Sequence, residues 1–287
     1  MSRIAYVNGR YLPHADAVVH VEDRGYQLAD GVYEVCELAG GKMLDVTGHL
    51  DRLDRSLREL SMREPVGRAA LLTIMREIVR RNRMRDGMVY IQVTRGVARR
   101  DHVYPPASVK PALVVTAKRI DPAVYERYAE KGVAVITLPD NRWDRVDIKT
   151  VGLLPNAMAR QKAREAGASE AWFVDSDGNV TEGAATNAWI VTEGGDLVTR
   201  PANHGILRGI TRETVLKAAA SLGIAVTERP FSVAEALRAR EAFLTSATNR
   251  VMPVVSIDSN TVANGHPGSI ARALRERFFA VAEKTPC

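Results

Sequence analysis

The dipeptide Asn8-Gly9, set between the runs Ile4–Val7 and Arg10–Leu12, limits the fold more than any other short stretch. Asn and Gly accept the positive φ angles of a two-residue hairpin turn, so the chain opens with antiparallel strands and not with a parallel winding. A second hairpin follows: Val32–Leu38 alternates between two faces, Ala39-Gly40-Gly41 turns, and Lys42–Asp45 returns. Thr47 then caps a helix carrying Leu50, Leu53, Leu57 and Leu60, and Leu71, Leu72, Met75, Ile78 and Val79 mark the core face of another. Met88–Thr94 and Ala112–Ala117, rich in β-branched residues, read as further strands. Strands, then helices, then strands describe an α+β unit.

Apolar alternation lapses after Lys118, Pro122 can open a short helix, and a new strand, Val133–Leu138, follows Gly132. The expected division is a small α+β domain over residues 1–119, a connection at 120–131, and a larger domain over 132–287. In the second half Val146–Lys149 reads as a strand, Ala157–Ala166 as a helix, and Ala171–Val174 and Ala188–Thr192 as strands. A helix spans Thr211–Leu222, and Ser232 with Glu235 forms a capping box for a shorter one. Phe243–Thr245 and Val251–Ile257 are late strands, and Pro267–Glu283 is a closing amphipathic helix. No internal repeat is visible.

Composition excludes several classes of function. With 46% hydrophobic and 26% charged residues in 287, the chain is globular and not disordered. Its excess of 40 basic over 34 acidic residues, a net +6, is interspersed, and aromatics make up 6%, so neither a basic arm nor a base-stacking surface for nucleic acid is present. A small anionic ligand accounts for the excess equally well. Two cysteines, Cys36 and Cys287, form no disulfide framework or zinc site, and the expected compartment is a reducing cytoplasm. No window is long and apolar enough to span a bilayer, and the N-terminus lacks a secretory core, so no membrane partner is expected.

Five places could carry chemistry. Lys149 is either a solvated strand-end lysine or an amine, desolvated in a pocket, that forms a Schiff base with a carbonyl cofactor. Glu182 precedes the small-residue run Gly183-Ala184-Ala185-Thr186-Asn187. It is either an exposed glutamate before a turn or a buried partner that keeps a pyridinium nitrogen protonated. Gly209 opens a helix whose first amides, at Ile210 and Thr211, suit a phosphate, although the same pattern serves as a simple cap. The turn Ser246-Ala247-Thr248-Asn249 would complete a phosphate cup, with Arg52 as counter-charge or merely a surface arginine. Finally, Gln92 to His102 gathers Arg95, Arg99, Arg100 and His102, which form either a solvated loop or a clamp for a carboxylate, with Tyr33 adding a phenol.

Taken in order, Glu22-Asp23-Arg24-Gly25-Tyr26-Gln27, Asp30-Gly31-Val32-Tyr33-Glu34-Val35, His49-Leu50-Asp51-Arg52-Leu53, Asp147-Ile148-Lys149, Thr181-Glu182-Gly183 and Leu207-Arg208-Gly209-Ile210-Thr211-Arg212 carry a resemblance. The sequence resembles the fold-type IV pyridoxal-phosphate enzymes, and within them the D-amino-acid transaminase branch. Each stretch is unspecific, but the ordered set is specific and runs nearly end to end.

The resemblance implies a two-domain fold, a small N-terminal α+β domain and a larger C-terminal α/β barrel-like domain, binding pyridoxal 5'-phosphate. It implies that Lys149 holds the cofactor and moves the substrate proton, and that Glu182 pairs with the pyridine nitrogen. Arg52, Leu207, Ile210, Thr211, Ser246 and Ala247 would complete the cofactor site. Tyr33, Arg100 and His102 would trap the substrate carboxylate, the last two from a neighbouring subunit, which implies a homodimer with shared active sites. Reversible amino transfer between D-alanine, or other D-amino acids, and 2-oxoglutarate would follow, giving pyruvate and D-glutamate. Aminodeoxychorismate lyase and R-selective amine transaminases are the alternatives on the same cofactor frame. The pair Arg99-Arg100 leaves the clamp two registers, Ala184-Ala185 stands where hydroxyls are often found in the family, and Ala247 offers a phosphate only its amide.

Overall fold

The computed structural model describes residues 3–287. The chain divides into two compact units: Met1–Asp121, Ile148–Gly152 and Glu283–Cys287 form one, and Pro122–Asp147 with Leu153–Ala282 form the other.

The first unit is built on a seven-stranded sheet, ordered Lys284–Pro286, Lys42–Leu44, Gly31–Ala39, Gly87–Thr94, Ala112–Arg119, Ile4–Val7 and Arg10–Pro13. Every neighbouring pair is antiparallel. Asn8 and Gly9, at φ 46° and 94°, make the expected tight turn. Two helices, Val46–Glu59 and Arg68–Arg81, lay Leu50, Leu53, Leu57, Leu71, Met75 and Ile78 against Val32, Cys36, Val89, Ile91 and Val93. Each such leucine contributes about 1.5–3 kcal/mol by leaving water.

The alternation of Gly31–Ala39 puts Glu34 on the same face as Val32 and Cys36, toward the helices, and leaves Tyr33 and Val35 half-buried on the other.

Several local expectations change in this unit. Thr47 is not the cap of its helix: Asp45, at φ 51°, stands at that position, and the Thr47 hydroxyl donates to Glu283 Oε1 at 2.9 Å. Glu283 N in turn donates to Asp45 Oδ1 at 2.9 Å, a pairing of remote segments that local pattern cannot show. The closing helix runs over Ser269–Val281 and stops before Glu283, because Lys284–Pro286 is taken up as an edge strand beside Lys42–Leu44.

Val146–Lys149 is not a strand but a run of turns, tied down by a bridge between Thr150 and Val32 and by Tyr33 N donating to Lys149 O at 3.0 Å. Through these contacts Ile148–Gly152 belongs to the first unit, although the expected 132–287 domain would have contained it.

The second unit holds a nine-stranded mixed sheet, ordered Val226–Glu228, Leu197–Thr199, Asn187–Val191, Glu241–Ser246, Arg250–Ile257, Val133–Pro139, Glu170–Val174 and Val180–Gly183, with Asn260–Thr261 paired to Arg250–Ile257. Val133–Pro139 is parallel to both its neighbours. The end strand Val180–Gly183 comes back beside Asn187–Val191, so the sheet curls toward the expected barrel-like form. Trp172, Val180, Ile190, Phe231, Leu244 and Met252 fill one side of it. The helix Pro122–Lys131, expected within a connection, belongs to this unit.

Candidate active site

In the first unit Lys149 sits on a loop laid along the start of Gly31–Ala39, its neighbour Ile148 anchored in the core. The half-buried lysine places Nζ 4.1 Å from the centre of the Tyr33 ring and, among the described residues, makes no ion pair. A π face holds a cation more weakly than a buried carboxylate does, so this amine is left available as a nucleophile. Tyr33 stacks on Tyr90 with ring centres 5.6 Å apart, and the Tyr90 hydroxyl donates to Gln92 Oε1 at 2.7 Å. Burial first, then the neighbouring Tyr33, pushes the Tyr90 phenol up to about 12.

Beneath this, Glu34 is fully buried and meets two residues one helical turn apart. Arg52 donates Nε to Oε1 at 2.7 Å and a terminal nitrogen to Oε2 at 2.9 Å, while His49 Nδ1 lies 2.7 Å from Oε2. Burial alone would raise the Glu34 carboxyl, but the Arg52 charge and its hydrogen bond outweigh it and hold the group far below the usual carboxylate range. Arg52, expected as a phosphate counter-charge, is thus a buried guanidinium balanced by Glu34, not a surface arginine.

In the second unit Glu182, at the end of Val180–Gly183, is buried and not an exposed residue before a turn. Its Oε1 accepts from Arg142 at 2.5 Å, its Oε2 from Asn187 Nδ2 at 3.0 Å, and Leu207 N stands 3.1 Å from both oxygens. The Asn187 amide also donates to Leu207 O at 2.9 Å, and a side chain on Gly209 would collide with Asn187.

Arg142 is oriented from behind. It donates Nε and a terminal nitrogen to the two oxygens of Asp140, at 2.9 and 2.7 Å, and lies 4.6 Å above the Phe173 ring. Burial would lower the guanidinium pKa, but the hydrogen bond to Asp140 and the charge of Glu182 outweigh it and the group is raised. Asp140 is lowered: burial opposes ionisation, and the Arg142 hydrogen bond overcomes it. One guanidinium between two carboxylates leaves these three groups with a net negative charge, which suits a protonated ring nitrogen.

Gly209 is the N-cap of Ile210–Ser221 and has no side chain to occupy the helix's first amides; the helix's own bonding begins with Glu213 N donating to Gly209 O at 3.0 Å. The amides of Ile210, Thr211 and Arg212 therefore face outward with the positive end of the helix dipole. In the turn after Glu241–Ser246, the Ser246 hydroxyl accepts from Asn249 N at 3.3 Å, which orders the turn carrying Ala247. Within the second unit, the carboxylate cluster around Glu182 suits a protonated pyridine nitrogen and the uncapped helix start suits a phosphate; within the first, the Lys149 amine, with no ion pair among the described residues, suits an aldehyde. Arg99, Arg100 and His102 lie exposed on the loop between Thr94 and Ala112.

Five residues that shape these places are not among those singled out from the sequence: Glu34, His49, Asp140, Arg142 and Asn187. Glu34 and His49 stand inside quoted motifs, but their pairing requires strand and helix together. Arg142 is brought to Glu182 from forty positions away. No cluster that could hold a metal ion occurs among the described residues, and no helix among them is long and apolar enough to cross a membrane.

Comparison with known proteins agrees with this chemistry. The family model described as Amino-transferase class IV matches residues 31–257. D-alanine aminotransferase of Bacillus licheniformis is 39% identical over 282 residues, covering 97% of this chain and 98% of its own. The D-alanine aminotransferase of Staphylococcus haemolyticus is 36% identical over 95% of each chain. Among solved structures, the T.th. branched-chain amino acid aminotransferase with pyridoxamine 5'-phosphate superposes with a TM-score of 0.88 at 27% identity, over 97% of this chain and 93% of that one. The Escherichia coli branched-chain enzyme shares the fold, with a TM-score of 0.88 at 23% identity over 98% of this chain and 95% of that one.

Proposed function

The chain belongs to the amino-transferase class IV family, and from that premise we propose that it is a D-amino-acid transaminase that moves the amino group of D-alanine to 2-oxoglutarate, releasing pyruvate and D-glutamate. Its cofactor is pyridoxal 5'-phosphate, which when bound supplies an aldehyde that condenses with amines and a ring that draws electrons from the substrate Cα. The observation that carries this reading is Lys149, an amine held against a π face with no ion pair among the described residues.

Lys149 would hold the cofactor through its aldehyde, and its freed amine would carry the proton between the substrate Cα and the cofactor carbon that receives it. Glu182 would keep the ring nitrogen protonated, with Arg142, Asn187 and Leu207 N fixing the carboxylate, and Leu207 would help to hold the cofactor. The amides of Ile210 and Thr211, the Thr211 hydroxyl, Ser246 and the Ala247 amide take the phosphate, and Arg52 supplies counter-charge tempered by Glu34. Tyr33, Arg100 and His102 bind the substrate carboxylate, which sets which enantiomer offers its Cα proton to Lys149.

We assign Arg100 and His102 to the site of a neighbouring copy in a homodimer. Val18, Val21, Tyr26, Val97, Val103 and Tyr104, apolar and exposed in the single chain, support such a contact face. A cytoplasmic setting accords with the two free cysteines, Cys36 and Cys287. D-alanine aminotransferases as near full-length relatives favour amino transfer over the lyase and the amine transaminases.

The test is the visible spectrum of the purified protein with D-alanine and, separately, with L-alanine, no oxo acid being present. A yellow band bleached only by D-alanine supports the reading; a yellow band that neither alanine bleaches overturns the substrate. Lys149→Ala should abolish turnover and leave the fold intact, and substantial remaining activity would remove Lys149 from its role.

A further inference from the structure

The motif Asp23-Arg24-Gly25 takes no part in the chemistry above, yet Arg24 is almost completely buried. Its Nε donates to Asp30 Oδ2 at 2.7 Å, and one terminal nitrogen donates to two carbonyls of the loop bearing the carboxylate clamp, Asp101 O at 2.6 Å and Val103 O at 3.3 Å. These carbonyls flank His102 in sequence. The turn between them is closed from inside by Val103 N donating to Asp101 Oδ1 at 3.2 Å.

The same Asp30 Oδ2 accepts from Arg95 Nε at 2.7 Å. Arg95 in turn holds Leu60 O at 2.8 Å and Ser61 O at 3.3 Å, and lies 3.6 Å above the Tyr104 ring. Backbone bonds lock the two arginines' own positions: Arg24 N donates to Gly96 O at 3.0 Å and Arg95 N to Asp30 O at 3.1 Å. One carboxylate oxygen therefore aims two guanidinium groups. Both hold a loop whose working side chains, Arg100 and His102, are exposed and take their direction from the backbone that carries them.

We propose that Arg24, aimed by Asp30, is a positioning residue for the substrate carboxylate: it fixes the Asp101–Val103 turn and so sets where His102 and Arg100 present their donors. This deepens the proposed function and rests on it. The role demands arginine, since a guanidinium reaches the carboxylate and both carbonyls at fixed angles, whereas a lysine ammonium of equal charge serves one end or the other. A loop this long without regular structure needs such an anchor to hold a binding geometry.

The experiment compares Arg24→Lys, Asp30→Asn, His102→Ala and the double variant Arg24→Lys/His102→Ala, each with pyridoxal phosphate bound. In Arg24→Lys the KM for D-alanine should rise about tenfold, the loss expected when a hydrogen bond to a charged group is removed. Its kcat should stay within about twofold, with cofactor absorption and melting temperature near those of the parent. Asp30→Asn should do the same more weakly, and it keeps the test alive should Arg24→Lys fold poorly. The double variant should raise KM by less than the product of the two single effects, because part of the Arg24 effect runs through His102 and part through Arg100. Amide exchange at residues 101–104 should quicken in Arg24→Lys.

An unchanged KM in Arg24→Lys and Asp30→Asn, with a raised KM in His102→Ala, overturns the positioning role and leaves the clamp standing. An unchanged KM in both His102→Ala and Arg100→Ala overturns the clamp itself, whatever Arg24 does.

Discussion

Glu34 in the first unit and Glu182 in the second are each buried against a buried arginine, and the two pairs are built in opposite senses. Glu34 and Arg52 grip each other through two parallel hydrogen bonds, with His49 closing the remaining side. Arg142 turns its fork to Asp140 and offers Glu182 one terminal nitrogen, while Asn187 and Leu207 N approach from elsewhere. In the first unit the carboxylate serves to hold the arginine; in the second the arginine serves to hold the carboxylate. The Glu34–Arg52 pair has no net charge, whereas Asp140, Arg142 and Glu182 together carry an excess negative charge.

The sharpest way to break this contrast is Glu34→Gln, which strands the Arg52 charge in the core. A loss of about 3–5 kcal/mol in urea unfolding at neutral pH is expected. The double replacement Glu34→Leu/Arg52→Met should recover most of it while weakening cofactor binding. A loss below about 1 kcal/mol would mean that Glu34 does not balance a buried Arg52 charge.

Glu182→Gln should behave in the reverse manner, lowering kcat by about 10²–10³-fold, the cost of losing a preorganised charge, while shifting the melting temperature little. If it instead unfolds the protein and spares turnover in what remains folded, the two carboxylates have been assigned the wrong way round. Arg142→Met should fall between them, slowing turnover by about tenfold or more through a less firmly held Glu182. Arg142→Lys should restore part of that, and the pH dependence of the cofactor absorption would report the change directly.

Acid sharpens the comparison with the smallest effect. The Glu34 carboxyl is lowered in the folded chain, so its stabilisation is fully present above the ordinary glutamate value of about 4.3 and is lost as pH falls through the folded value. In that window the unfolded chain binds the proton and the folded chain does not, so unfolding free energy declines with pH. The stability gap between the parent and Glu34→Gln should therefore narrow once pH drops below about 4. Urea titrations at neutral and acid pH would check it; a gap that widens contradicts the ionised pair.

Much of the site was legible because its parts lie in short runs. Lys149 stands in the run Asp147-Ile148-Lys149, which reads as a strand but is a set of turns with Ile148 packed in the core. Glu182 and the helix start at Gly209 lie where strand and cap patterns placed them. The partners of these residues were not legible. Nothing local marks Arg142 or Asp140, which meet the Glu182 segment from about forty positions away, and Glu34 is one residue within a motif. The edge strand Lys284–Pro286 was missed because it pairs with Lys42–Leu44 from the other end of the chain.

What the sequence by itself determined is whatever depends on neighbours within a few positions: hairpins at Asn8-Gly9 and Gly40-Gly41, helix faces at Leu50–Leu57 and Leu71–Val79, and the ordered motifs that assign the family. Turn dihedrals and side-chain periodicity are local, so they are written in adjacent residues. Only the tertiary structure decided which arginine meets which glutamate, and that Arg24 and Arg95 share one oxygen of Asp30. Buried charges are costly enough that each must find a partner, but the partner is chosen by which backbone segments are brought side by side, and that choice lies in no single stretch of chain.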